Sequence, residues 1–168
     1  MYIIFNALYL LAGYLWGDWR NWKQYYSTIL FFILGDFLYN FLLYQKSIWL
    51  FHDLILPNHT MITILAMVIV YSATVFIYLG RFPNGWIRRL FWFLLWTGIY
   101  LCEEFFNSKL GFITYHNGWN IWWSVLFTCI IFIILPIHQK NPLLAWLFSI
   151  IIIVSLLRIF NVEISDMK

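Results

Sequence analysis

The sequence predicts an all-α integral membrane protein of about six transmembrane helices in one compact bundle, and three observations carry that prediction. Long apolar runs fill most of the 168 residues. Only 10% of residues are charged against 64% hydrophobic, with a mean hydropathy of +0.81, and 17 Lys, Arg, Asp and Glu residues cannot clothe a water-soluble surface. The aromatic share is 23%, including 11 Trp and 11 Tyr, the rings that gather at the headgroup level of a bilayer. A spanning helix takes about 20 residues. Six of them leave room for short loops and no soluble domain, so residues 1–168 read as a single transmembrane unit.

The first run, 2–17, lacks the basic start and small-residue cleavage site of a signal peptide and reads as a retained helix. Gly13 and Gly17 form a GxxxG spacing that permits close helix contact. Trp16, Trp19 and Trp22 then recur beside Arg20 and Lys23 as an interfacial belt. The second run, 25–44, contains Gly35, Asp36 and Asn40. Segment 47–56 is too short to cross and, with His52 and Asp53 among Trp49, Phe51, Leu54 and Leu56, is expected to lie in the interface. Pro57-Asn-His-Thr60 stops it and offers a cap to the third run, 61–79, which looks like apolar scaffold. The turn 80–85 leads into the fourth run, 86–107, with Arg88 and Arg89 at its start and Glu103 and Glu104 near its far end. The loop 108–118 precedes the fifth run, 120–137. A tight hairpin at Pro142 opens the sixth, 143–160, which carries Arg158. If the short first run does not cross, five crossings remain.

Positive charge sets the orientation. Arg20, Lys23, Arg81, Arg88, Arg89 and Lys140 fall on one face; Lys46, Lys109, Arg158 and Lys168 fall on the other. The first face is expected to be cytoplasmic, which puts both termini outside. The net charge of +3 is scattered, not striped, so no nucleic-acid surface is expected. The lipid bilayer is the expected partner, with a membrane protein, a second copy or a small ligand as further candidates. Cys102 and Cys129 form no CxxC and read as packing residues.

Nearly all ionisable residues inside the runs sit toward one depth. Asp36 lies about eight residues, or ~12 Å, from the outer end of its run at 1.5 Å per residue, with Asn40 one turn above. Tyr100, Glu103, Glu104 and Asn107 follow the i, i+3, i+4, i+7 spacing of one helix stripe. His59, His116, Asn120 and Arg158 are expected to join the same layer from neighbouring helices, with Arg158 as counter-ion for a carboxylate. A charge in hydrocarbon costs roughly 2.5–3.5 kcal/mol on insertion scales, so such a layer needs internal partners. The bland account is that these groups hold helices together, and that His52 and His138 are interfacial. Tyr115, Asn117 and Trp119 read either as a belt and helix cap or as an outward-facing binding rim. Two His with a carboxylate can bind a divalent metal, yet no HExxH or close His pair is present, so no metal or cofactor is assigned.

Four strings, Trp16-Gly-Asp-Trp-Arg-Asn-Trp22, Leu34-Gly-Asp-Phe-Leu-Tyr-Asn40, Pro57-Asn-His-Thr60 and Ile113-Thr-Tyr-His-Asn-Gly-Trp-Asn120, together resemble a family of small multi-span membrane proteins of Bacillus-type and Clostridium-type bacteria. The resemblance implies a bacterial plasma-membrane location and carries over no catalytic residue. A non-enzymatic binding, sensing or accessory protein is the leading expectation. The alternatives are a membrane-embedded enzyme, with or without a metal, and a small proton-coupled transporter, each using Asp36, Glu104 and His116.

Overall fold

A computed structural model describes residues 2–52 and 58–167. Six helical rods run up and down: α1 (Tyr2–Trp16), α2 (Trp22–Leu42), α3 (His59–Tyr78), α4 (Trp86–Lys109), α5 (Ile121–Lys140) and α6 (Pro142–Ile159). Four of these, α2 with the turn before it, α3, α5 and α6, are long and apolar enough to cross a membrane. The remaining two fall short for different reasons. At 15 residues α1 spans only ~22 Å, and α4 carries Arg88, Arg89, Glu103, Glu104 and Lys109 along an otherwise sufficient length.

Central position and outer position are both legible in burial. Half of the apolar window of α3 is buried inside the protein, against 6% for α6. Helix α3 packs on α1 and α2, α5 packs on α2, α4 and α6, and α6 leaves most of its surface outward. The α1–α3 contact is close because Gly13 faces Ala73: a Cβ on Gly13 would come within 2.9 Å of the Ala73 Cβ. Gly13 alone of the GxxxG pair serves this contact, since the nearest atoms to a Cβ on Gly17 would be those of Gly13 and Trp19.

Tyr78 anchors the core between α3, α4 and α5. Its ring meets Phe132 and Trp96 edge-on, and its hydroxyl donates to the Phe132 carbonyl at 2.8 Å. That carbonyl is available because Pro136, one turn further along α5, has no N–H to give it. A proline that would orphan a buried acceptor is therefore matched by a tyrosine on the facing helix. Midway along α3, residues Ala66–Tyr71 widen into a π-helical segment, a form frequent at functional positions.

The two ends of the bundle differ in build. At one end Arg81 Nε donates to the Trp16 carbonyl, and Asp18 accepts from Asn21 and from the Tyr25 hydroxyl. At the other, β1 (Trp49–Phe51) pairs antiparallel with β2 (Ile113–Tyr115), Trp49 opposite Tyr115 and Phe51 opposite Ile113. The segment 47–56, expected to lie in the interface, contributes a strand from its described part, which adds a small sheet to an otherwise helical chain. The physical reason is backbone satisfaction: extended chain at the edge of an apolar region must pair its N–H and C=O groups, and each three-residue strand supplies the other's partners. Residues 53–57, including Asp53, lie outside the described residues. The C-terminal stretch docks beside this end, where Lys46 Nζ donates to the Asn161 carbonyl and lies 3.9 Å from Asp166. Both cysteines are free.

Candidate functional site

Beneath the sheet the bundle holds a partly open cavity of about 290 Å³. Its roof is Trp49 and Phe51 from β1 with Ile113 from β2, its sides come from all six helices, and it reaches toward Phe31 and Trp146. Alternation along the strands explains the roof: Trp49, Phe51, Ile113 and Tyr115 share one face, while Thr114 points away between His52 and His116.

The stripe on α4 turns wholly inward, because Tyr100, Glu103, Glu104 and Asn107 all line the cavity. Asp36 joins them from α2. Each carboxyl is held by hydroxyls. Tyr9 donates to Glu103 Oε2 at 3.0 Å. Tyr115 donates to Glu104 Oε1 at 2.8 Å, and Ser124 Oγ donates to the same oxygen while accepting from the Trp119 indole at 2.8 Å. The Tyr71 hydroxyl, from the π-helical stretch, approaches the Asp36 carboxyl. Asp36 Oδ2 nevertheless has no hydrogen-bond partner among the described residues.

Two asparagines complete the layer. Asn6 Nδ2 donates to the Tyr2 carbonyl and Asn107 Nδ2 to the Glu103 carbonyl, each 2.8 Å and one turn back on its own helix. Those acceptors fix the amide orientation, since a flipped amide would set its oxygen against a carbonyl. The free atoms are therefore the oxygens, and both Asn6 Oδ1 and Asn107 Oδ1 lack a partner. Asn6 is 6% exposed and Asn107 1%. Trp96 Nε1 and Thr97 Oγ1 are also unpartnered but do not line the cavity.

Other residues expected in the layer go elsewhere. Arg158 is exposed on α6, away from the cavity, and meets none of the three carboxyls. The snorkelling length of the side chain lets the guanidinium reach the surface instead of crossing to Asp36. His59 is half-buried, stacks on Phe51, and accepts from the Phe51 N–H through Nδ1. His116 is exposed and bonds Thr114. Both histidines serve the sheet. Asn40 donates to the Asp36 carbonyl, not to its carboxyl. Asn120 caps α5 by accepting from the Trp122 and Trp123 N–H groups.

The three rim candidates also part company. Trp119 is buried and forms cavity wall, and Tyr115 holds Glu104. Asn117 is an exposed turn residue at φ 52°, followed by Gly118 at φ 88°, and donates to the Ser47 carbonyl. His138, expected at the interface, is buried and bonds Thr28.

Asn6, Tyr9, Tyr71 and Ser124 belong to the site and were not legible as such. Asn6 sits alone in an apolar run. Only the i, i+3 and i+7 placement of Asn6, Tyr9 and Gly13 on one face hints that it points inward. Among the described residues no group of three or more His, Cys, Asp or Glu side chains is placed to hold a metal ion. No family model matches the chain, and no match was found among curated proteins or solved structures.

Proposed function

We propose that the chain is a multi-pass plasma-membrane protein of the binding or sensing kind, holding a small amphipathic molecule in the cavity beneath the sheet. One observation carries this: aromatic rings wall the cavity, yet Asp36, Glu103, Glu104, Asn6 and Asn107 also line it, and among the described residues the two amide oxygens are buried without a partner. Groups that served only to glue helices would be expected to find one another, because an unsatisfied polar atom in hydrocarbon is costly. The apolar helices support membrane residence. In this proposal α1 and α4 complete six crossings, the Arg81 end faces the cytoplasm, and the sheet faces outward with both termini. The enzyme and carrier alternatives have less behind them, because His116 sits on the exposed face of the sheet.

The experiment is calorimetric titration of the full chain in lipid nanodiscs with three probes of one size: 2-phenylethylammonium, 2-phenylethanol and phenylacetate. Saturable binding of at least one is expected. Gly35 lines the cavity, and a Cβ there would meet nothing within 4 Å, so Gly35→Phe is expected to fill the space and abolish that binding. No saturable binding, or binding unchanged in Gly35→Phe, sinks the proposal. Reporter fusions after residues 46, 81 and 140 test the orientation; a cytoplasmic signal at 46 reverses it.

A further inference from the structure

We infer that the cavity selects an organic cation: a protonated primary or secondary amine on a compact apolar or aromatic body. The inference rests on the binding function above and names its ligand class.

Its first ground is the sign of the unmet hydrogen bonding. Among the described residues, every fully buried side-chain atom of a cavity-lining residue that lacks a partner is an acceptor: Asn6 Oδ1, Asp36 Oδ2 and Asn107 Oδ1. The two amides are fixed with their oxygens free, because one N–H of each nitrogen is engaged by a carbonyl of its own helix. The hydroxyls of Tyr9, Tyr115 and Ser124 are already donating to the glutamates. A ligand that satisfies this surface must therefore bring donors.

The second ground is charge. Asp36, Glu103 and Glu104 line the cavity, and among the described residues no Lys, Arg or His lines it. A carboxylate shielded from water gains most from a cation within a few ångströms, and Arg158, the candidate expected from sequence, lies outside. The third ground is the wall itself. Trp49 lies between Tyr39, stacked on it at 4.0 Å, and Trp119 at 5.0 Å, with Phe127 6.0 Å away. Such rings favour a cation over a neutral group of the same size. A divalent ion fits less well, since no three ligating side chains converge among the described residues. An ammonium bears up to three N–H donors on a single charge, and its apolar body is suited to the rest of the wall.

The same nanodisc titrations decide the matter by rank. The ammonium probe is expected to bind at least tenfold more tightly than the alcohol, with phenylacetate the weakest. Asp36→Asn and Glu103→Gln are each expected to shrink the ammonium-to-alcohol ratio to threefold or less while leaving alcohol binding within twofold. If the alcohol or phenylacetate binds as tightly as the ammonium, the cavity still binds ligands and the cation inference fails. If none binds, water alone serves the acceptors and both proposals fall. The ranking is measured on the unaltered chain, so it holds even if a carboxylate variant does not fold.

Discussion

Replacing Asn107 with leucine is expected to make the protein more stable and less able to bind. The native side chain is 1% exposed and makes one hydrogen bond, from Nδ2 to the Glu103 carbonyl, with Oδ1 unpartnered. That carbonyl already belongs to a helix ladder, so losing the extra bond costs about 0.6 kcal/mol, the mean for side-chain bonds within membrane helices. Removing a buried unsatisfied acceptor returns about 1–3 kcal/mol, and leucine can extend into the adjoining cavity without overpacking. The net gain is about 1–2 kcal/mol, which for a chain of this length raises the melting temperature by roughly 2–8 °C. Asn107→Ala removes the same acceptor but deletes packing atoms and should fall below leucine. The assay is thermal unfolding in mild detergent followed by tryptophan fluorescence, alongside the ammonium titration. A leucine variant at or below the wild-type melting temperature would falsify the claim that Oδ1 is unmet.

Three further outcomes follow from contacts away from the cavity. The Asp18 carboxyl, outside the spans, is held below the usual carboxylate range, first by the Asn21 side chain and then by the Tyr25 hydroxyl, the Asn21 backbone N–H and Arg20. A depressed folded-state value means its stabilisation is present above about pH 4 and fades as pH falls through the lowered value; Asp18→Asn should flatten that acid limb of the stability curve. Thr28→Val should cost about 1–3 kcal/mol by leaving buried partners unmet. Gln139 Nε2 donates to the Gln24 carbonyl, so its Oε1 must accept from Thr28, and the Thr28 hydroxyl must in turn accept from His138 Nδ1–H; unchanged denaturation would contradict this chain. Gly13→Ala should destabilise by about 1–3 kcal/mol through overpacking against Ala73. Adding Ala73→Gly should recover most of that, and an additive double mutant would rule out the contact.

Periodicity was sufficient for the rods and for one wall of the site. Apolar runs of 15 to 24 residues can be little other than helices, and the Tyr100–Asn107 stripe points one way because 3.6 residues make a turn. The strands were illegible because three residues give no usable alternation and because β1 and β2 meet across some sixty residues. That pairing is also what drew His59 and His116 away from the carboxyls. Arg158 misses the carboxyls for a different reason: position along a helix says nothing about rotation around its axis, and Arg158 is exposed on α6.

Rotation is also what separates a packing layer from a binding layer here. Asn40, on the same turn pattern as Asn6 and Asn107, gives its amide N–H to the carbonyl one turn back but does not line the cavity, and its oxygen is not left buried and unmet. Asn6 and Asn107 make the same backbone bond on α1 and α4 yet line the cavity, where no described residue answers their oxygens. One local motif thus has two outcomes, decided by which way the helix is turned. Chemistry that is neutral at Asn40 becomes a demand for a donor at Asn6 and Asn107, and Asp36 adds charge to that demand from a third helix. Three helices thus bring one sign of hydrogen-bonding deficit to the same cavity, which a set of groups selected only to hold helices together does not require.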